Sequence, residues 1–150
     1  MIYLEYERLR RKYLETLQKH LDLLDEKEAI FSRTQPKAIR YDKDRITGGE
    51  PRDTSAEYMI EIERRGIDAR IDICLSVLDA REELLKRKGE ELKASVDIND
   101  RVYVLMYFEG MKVYQIAGAT HYSEAQIFRI RKNIADELRK LDEQSGNDSK

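Results

Sequence analysis

The fold class predicted for this chain is all-α, and three observations predict it. Charged residues occupy 39% of the 150 positions, with no Trp and only two prolines, the balance of long solvated helices with modest cores. Apolar residues recur every three or four positions through two long stretches, the period of a helical face. The last third then carries a short apolar pattern, a turn, and a further apolar stripe at 127, 130, 134, 138 and 141. The expected architecture is two long helices, as a coiled-coil arm or a helical hairpin, followed by a C-terminal helix-turn-helix unit.

Residues 1–31 read as the first long helix, with Ile2, Tyr6, Leu9, Tyr13, Leu17, Leu21 and Leu24 as its apolar face. At 1.5 Å per residue such a helix spans roughly 42–45 Å, too long to bury within a small globule. Residues 32–56 break the pattern: Ser32, Pro36, Gly48-Gly49, Pro51 and Ser55 punctuate a polar stretch that reads as a linker. Its basic residues (Arg33, Lys37, Arg40, Lys43, Arg45, Arg52) leave a DNA-contacting arm as the other reading.

Residues 57–96 hold the second long helix. Ile60, Ile67, Ile71, Cys74, Leu78 and Leu85 fall on heptad a and d positions, in register with Arg64 and Arg81. Two arginines in the seam argue against a two-stranded zipper and for an antiparallel pairing with those side chains reaching outward. Thr54 or Ser55 is the expected cap, with Glu57 in the first turn. Gly66 lies inside this helix, where glycine costs about 1 kcal/mol relative to alanine; nothing in the sequence explains it. Gly89 is a candidate stop, although Glu90-Glu91-Leu92-Lys93-Ala94 continues with helix formers.

Residues 97–141 form the last unit. Asp97 or Asn99 caps its first helix, Val102, Leu105, Met106 and Phe108 give it a buried face, and Gly110 ends it as a C′ glycine. Ile116-Ala117 is the buried face of a short helix, and His121-Tyr122-Ser123 a tight turn ending in the next N-cap. His121 is read as structural, because His is enriched in the left-handed backbone that such turns require. Residues 142–150, rich in Ser, Gly, Asn and Asp, read as a frayed tail.

Composition excludes several classes. Cys74 is the single cysteine and reads as a small buried apolar residue, so no disulfide framework or Cys-based metal site is expected. His20 and His121 lie too far apart for a local ligand cluster. No grouping of acid, base and nucleophile points to an enzyme, and no cofactor is implied. The charged start is unlike a signal peptide and no apolar run reaches membrane length, so a cytosolic chain without a membrane partner is expected.

In the final helix Ile127, Ile130, Ile134 and Leu138 face the core, which leaves Glu124, Gln126, Phe128, Arg129, Arg131 and Lys132 on other faces. When such a helix enters a major groove its first two turns lie deepest. Gln126 then has adenine, Arg129 guanine and Glu124 a cytosine amino group as matching partners, while Arg131 and Lys132 lie nearer phosphates. Lys112, Tyr114 and Gln115 sit at a helix N-terminus whose free N–H groups favour a phosphate. Phe128 has two readings: packing on Tyr122 or the preceding helix, or contact with a thymine methyl. Each cation, taken alone, is also an ordinary solvated side chain.

Tyr107-Phe108-Glu109-Gly110-Met111, Ile116-Ala117 and Ser123-x-x-x-Ile127 resemble region four of bacterial sigma factors, which binds the promoter −35 element. With a long first helix, a loop bearing Thr47-Gly48-Gly49 and a second long charged helix, the layout resembles the phage and prophage ArpU/RinA-type regulators of Gram-positive bacteria. The resemblance implies a late-gene transcriptional regulator. It places Glu124, Ala125, Gln126, Phe128 and Arg129 at the base-facing start of the recognition helix, and Lys112, Tyr114 and Gln115 on the phosphate-facing helix. Lys112 stands where that family places Ser or Thr, and Thr120 where it places an apolar residue; the cap at Lys112 is accordingly expected to be weak.

The net charge of −2 limits what one copy does, since nonspecific DNA affinity comes largely from cations on phosphates. Expected partners are therefore double-stranded DNA, RNA polymerase, and further copies of the chain joined through the long helices. The alternative function is a phage DNA-packaging protein of the small terminase kind, or a coiled-coil assembly protein.

Overall fold

The computed structural model describes residues 1–34 and 54–147. Helix α1 runs Ile2–Thr34, α2 Thr54–Arg65, α3 Ile67–Ala94, α4 Ile98–Tyr103, α5 Val113–Thr120 and α6 Glu124–Asn147, with a π-helical turn at Val104–Phe108 between α4 and α5. No strand occurs among the described residues, so the all-α class holds. The chain divides into two compact units, Met1–Leu14 with Asp79–Lys150, and Glu15–Leu78.

In the first unit the core is Tyr3, Leu92, Val102, Tyr103, Ile116, Ile127 and Ile134. The start of α1 is fastened to α4 by one buried side chain. Asp100 is 1% exposed, and its carboxylate accepts the Tyr3 N–H at 3.0 Å, the Ile2 N–H at 3.4 Å and the Ser95 hydroxyl at 2.7 Å. Helix N-termini carry unsatisfied donors and partial positive charge, so a carboxylate there is favoured twice over. Behind it, the Tyr3 and Tyr103 rings stack at 5.3 Å, and the buried Glu7 accepts a hydrogen bond from the Tyr103 hydroxyl. Lys88 bonds Glu5 at 2.7 Å and Arg81 donates to the Lys12 carbonyl at 2.7 Å. These two contacts set the ends of α1 and α3 in this unit antiparallel.

Sequence and structure part at several points. Gly66 has φ of 61°, a conformation cheap only without a Cβ. It breaks the expected single helix into α2 and α3: its N–H closes onto Glu63 O, and its carbonyl accepts from Arg70 to start α3. The break takes α2 out of the heptad register, so Ile62 is buried while Ile60 is 63% exposed and Arg64 pairs outward with Glu61. Arg81 reaches the α1 backbone rather than solvent. Gly89 does not stop α3; it lies in the helix interior against Tyr6, whose ring sits 3.5 Å from where a Cβ would be.

The buried ridge of α1 also differs from the expected one. Tyr3, Glu7, Thr16, Leu23 and Ile30 are buried, whereas Leu21 and Leu24 are 45% and 41% exposed. Residues 32–34 and 54–56 of the expected linker are helical, and positions 35–53 lie outside the described residues. The tail is helical through Asn147, with 148–150 outside the described residues. Cys74 is half-buried against the second unit's core of Leu23, Ile30, Ile62, Ile67 and Ile71.

Replacing Asp100 with Ala removes a charged helix cap and strands buried donors, and is expected to lower the unfolding free energy by about 2–3 kcal/mol. Urea denaturation checks this, and a variant as stable as the parent would make the carboxylate dispensable. Alkali gives a second check. Burial, then the charges of Glu137 and Asp100, push the Tyr3 phenol up to about 12, and burial with the Glu7 hydrogen bond raises Tyr103 further. An unfolded tyrosine loses its proton near pH 10, so above that pH the folded state holds more protons and stability falls as pH rises. Unfolding midpoints are expected to drop between pH about 10 and about 12, and Tyr3→Phe should flatten the drop.

Candidate nucleic-acid interface

The last four helical elements follow from local signals. Asp97 caps α4, its Oδ1 accepting the Asn99 N–H at 2.7 Å. The helix loosens into the π turn, where Glu109 N–H donates to Val104 O, and closes as Met111 N–H reaches back to Leu105 O at 2.9 Å over Gly110 at φ 65°. That bond reaches one residue further back than the six-to-one bond of a Schellman ending, the extra residue being the one the π turn takes in, and it passes over a left-handed C′ glycine as such endings do. Helix α5 then starts at Lys112. The weak cap expected there is supplemented by Gln115, whose Oε1 accepts the Lys112 N–H at 2.9 Å.

Between α5 and α6 the turn is His121-Tyr122-Ser123. His121 stands at φ 60°, the one non-glycine residue with positive φ among the described residues. This accords with a structural part for it. Thr120, where an apolar residue was expected, is buried and donates its hydroxyl to Ile116 O at 2.7 Å; that bond satisfies the polar group and explains why the position tolerates it.

Ser123 and Gln126 form a capping box. The Ser123 N–H and hydroxyl donate to Gln126 Oε1 at 3.1 and 3.2 Å, and the Gln126 N–H donates to Ser123 Oγ at 3.2 Å. The carboxamide oxygen of Gln126 is therefore engaged at the helix start, which gives this residue a capping part that the expected reading did not assign. The signal was present as Ser-x-x-Gln ahead of an apolar stripe.

Along α6, Ile127, Ile134 and Leu141 are buried, with Ile130 and Leu138 half-buried. At about 100° per residue, the arc opposite them carries Ala125, Phe128, Arg129 and Lys132. All four are exposed. Phe128, 54% exposed, lies away from the core. With Glu124 and Arg131 it borders an open hollow of about 450 Å³, whose other wall includes Met111, Lys112 and Tyr114 at the start of α5. The structure thus brings Lys112, Tyr114, Glu124, Phe128 and Arg131 together, sets Arg129 and Lys132 on the outermost arc, and leaves Gln115 and Gln126 as caps. Ala125, expected at the base-facing start of the helix, lies on the same arc, whereas Tyr122 in the turn, 40% exposed, was not among the expected site residues.

Charge divides α6 in two. Arg139 pairs with Asp136 at 3.3 Å and Lys140 with Glu137 at 2.9 Å in its later half. Arg129, Arg131 and Lys132 in its earlier half, and Lys112 on α5, form no ion pair among the described residues. Exposed pairs contribute little to stability, so the absence costs the fold nothing and leaves a local positive face on a chain of net charge −2. Among the described residues no group of three His, Cys, Asp or Glu side chains is placed to hold a metal ion, and no helix is long and apolar enough to cross a membrane.

Fold and site together define an all-α chain with a C-terminal helix-turn-helix whose second helix presents Arg129, Arg131 and Lys132 without an ion pair among the described residues. Compared with protein-family models, curated proteins and solved structures, the chain matches none.

Gln126→Ala is expected to destabilise the first unit by about 1 kcal/mol, the usual worth of a cap. Thermal unfolding followed by circular dichroism measures it. An unchanged midpoint would return the side chain to a part in binding.

Proposed function

We propose that the chain is a DNA-binding transcriptional regulator that acts without enzymatic activity and reads promoter DNA through α5 and α6. The observation that carries this reading is the arc of Arg129 and Lys132, flanked by Arg131 and Lys112, none of which forms an ion pair among the described residues. Helix α6 enters the major groove by its first two turns. Arg129 takes a guanine edge, the residue type best matched to its O6 and N7 acceptors. Lys132, Arg131 and Lys112 neutralise phosphates, and Tyr114, 60% exposed at the start of α5, supplies a hydroxyl to the backbone. Glu124 at the first turn accepts from a cytosine amino group and rejects bases that offer only acceptors. The likeness of residues 107–127 to sigma region four supports a promoter as the target and RNA polymerase as a neighbour on it, in the manner of a phage late-gene activator acting in the cytoplasm.

Fluorescence anisotropy with duplex promoter DNA over a range of salt tests this. Arg129→Ala is expected to cost about 1–3 kcal/mol and relax preference at one base pair, and Lys132→Ala to weaken all sequences alike while reducing the salt slope by about 1. Failure of the parent chain to bind duplex DNA at low salt removes the reading. Unchanged affinity and preference in Arg129→Ala removes the part given to that residue.

A further inference from the structure

Helix α1 carries two apolar stripes within the second unit, and the hairpin uses one of them. Thr16, Leu23 and Ile30 are buried, the latter two in the core with Ile62, Ile67 and Ile71. About a third of a turn round the helix, Leu17, Leu21, Leu24, Glu28 and Phe31 repeat at intervals of four, three, four and three, the a and d spacing of a helix that packs on another helix. Leu17 is half-buried, Leu21 and Leu24 are exposed, and Phe31 at the end meets the Tyr58 ring edge-on. A leucine singly exposed needs no explanation, but leucines exposed at heptad spacing on a rigid helix do.

We infer that this stripe is the seam on which a second copy of the chain docks, α1 against α1, to make a dimer in which two hairpins form a four-helix bundle. The pattern of charge beside the stripe selects a second copy in parallel orientation. With Leu21 at an a position and Leu24 at d, one border (the e positions) carries Gln18 and Asp25, and the other (the g positions) His20 and Lys27. A parallel pair sets each g residue beside the partner's e residue five positions on, so His20 meets Asp25 of the second copy in both directions. An antiparallel pair would set Lys27 against His20 and Asp25 against Gln18, so that no opposite charges face each other. Glu28 is the one ion on the seam; in the parallel pair it faces its own copy and weakens the association, as a polar a residue does while fixing register. The seam from Leu17 to Phe31 is about 21 Å long, so the dimer is modest and its population rises with concentration. It stands independently of the DNA reading.

Sedimentation velocity on the full chain from micromolar to hundreds of micromolar tests the seam. The parent is expected to pass from monomer to dimer over that range, and Leu21→Asp/Leu24→Asp to remain monomeric with unchanged helicity. Glu28→Leu is expected to tighten the dimer at least about tenfold, a gain that misfolding does not mimic. Glu28→Cys in a Cys74→Ser background should form a disulfide-linked dimer on mild oxidation, since only the parallel pair brings the two positions together. A parent that stays monomeric throughout, an assembly larger than a dimer, a double-Asp variant that dimerises like the parent, or Glu28→Leu without tightening would each overturn the inference. Failure of the Glu28→Cys cross-link would overturn its orientation.

Discussion

The first unit depends on a carboxylate placed where a helix begins. Buried backbone donors must find acceptors, and the Ile2 and Tyr3 N–H groups find theirs in Asp100, 97 and 98 positions along the chain. With that end of α1 fixed, Tyr3 is held against Tyr103, and Glu7, one turn further on, is held under the Tyr103 hydroxyl. The aromatic cluster of Tyr3, Tyr6, Tyr103, Tyr107 and Phe108 closes around the same point. Because α4 supplies Asp100 and Tyr103 and packs on α6 through the shared core, the cap of the first helix also positions the helix proposed to enter DNA. Arg11 extends the tie, donating to Leu138 O at 3.2 Å and pairing with Asp142 at 2.8 Å.

What the sequence made legible, and what it hid, divides along range. The helix-turn-helix was readable because its signals are local. A glycine two residues before Lys112, a histidine tolerant of positive φ, a serine cap and apolar residues three and four apart all act within one or two turns. The all-α class followed from the same periodicity. The buried ridge of α1 was not readable, because Leu17, Leu21 and Leu24 satisfy the helical period as well as Leu23 and Ile30 do. Contacts with α2 and α3 decide between the two stripes, and those are long-range. The Asp100 cap was hidden for the same reason. Gly66 was a different case: its cost inside a helix was legible, but the sign of its φ, which turns the cost into a hinge between α2 and α3, was not.

In the candidate interface the amides of Gln115 and Gln126 match base edges and phosphates, and they also find partners within the chain. The same amide oxygens match the free N–H groups one turn back, which are always present and always close. Arg129 and Arg131 have no acid three or four positions away, and Asp136, four positions beyond Lys132, pairs with Arg139 instead.

The π turn at Val104–Phe108 has a consequence for length. An α-helical turn that takes in one extra residue shifts everything after it by about 100° relative to what precedes it. Val102 and Tyr103, before the turn, are buried; Tyr107 and Phe108, which end it, are 50% and 36% exposed while their rings still meet Tyr103. Deleting Val104, Leu105 or Met106 would restore ordinary helix and swing Tyr107 and Phe108 back by about that angle. At this corner of the fold, counting residues matters more than choosing them.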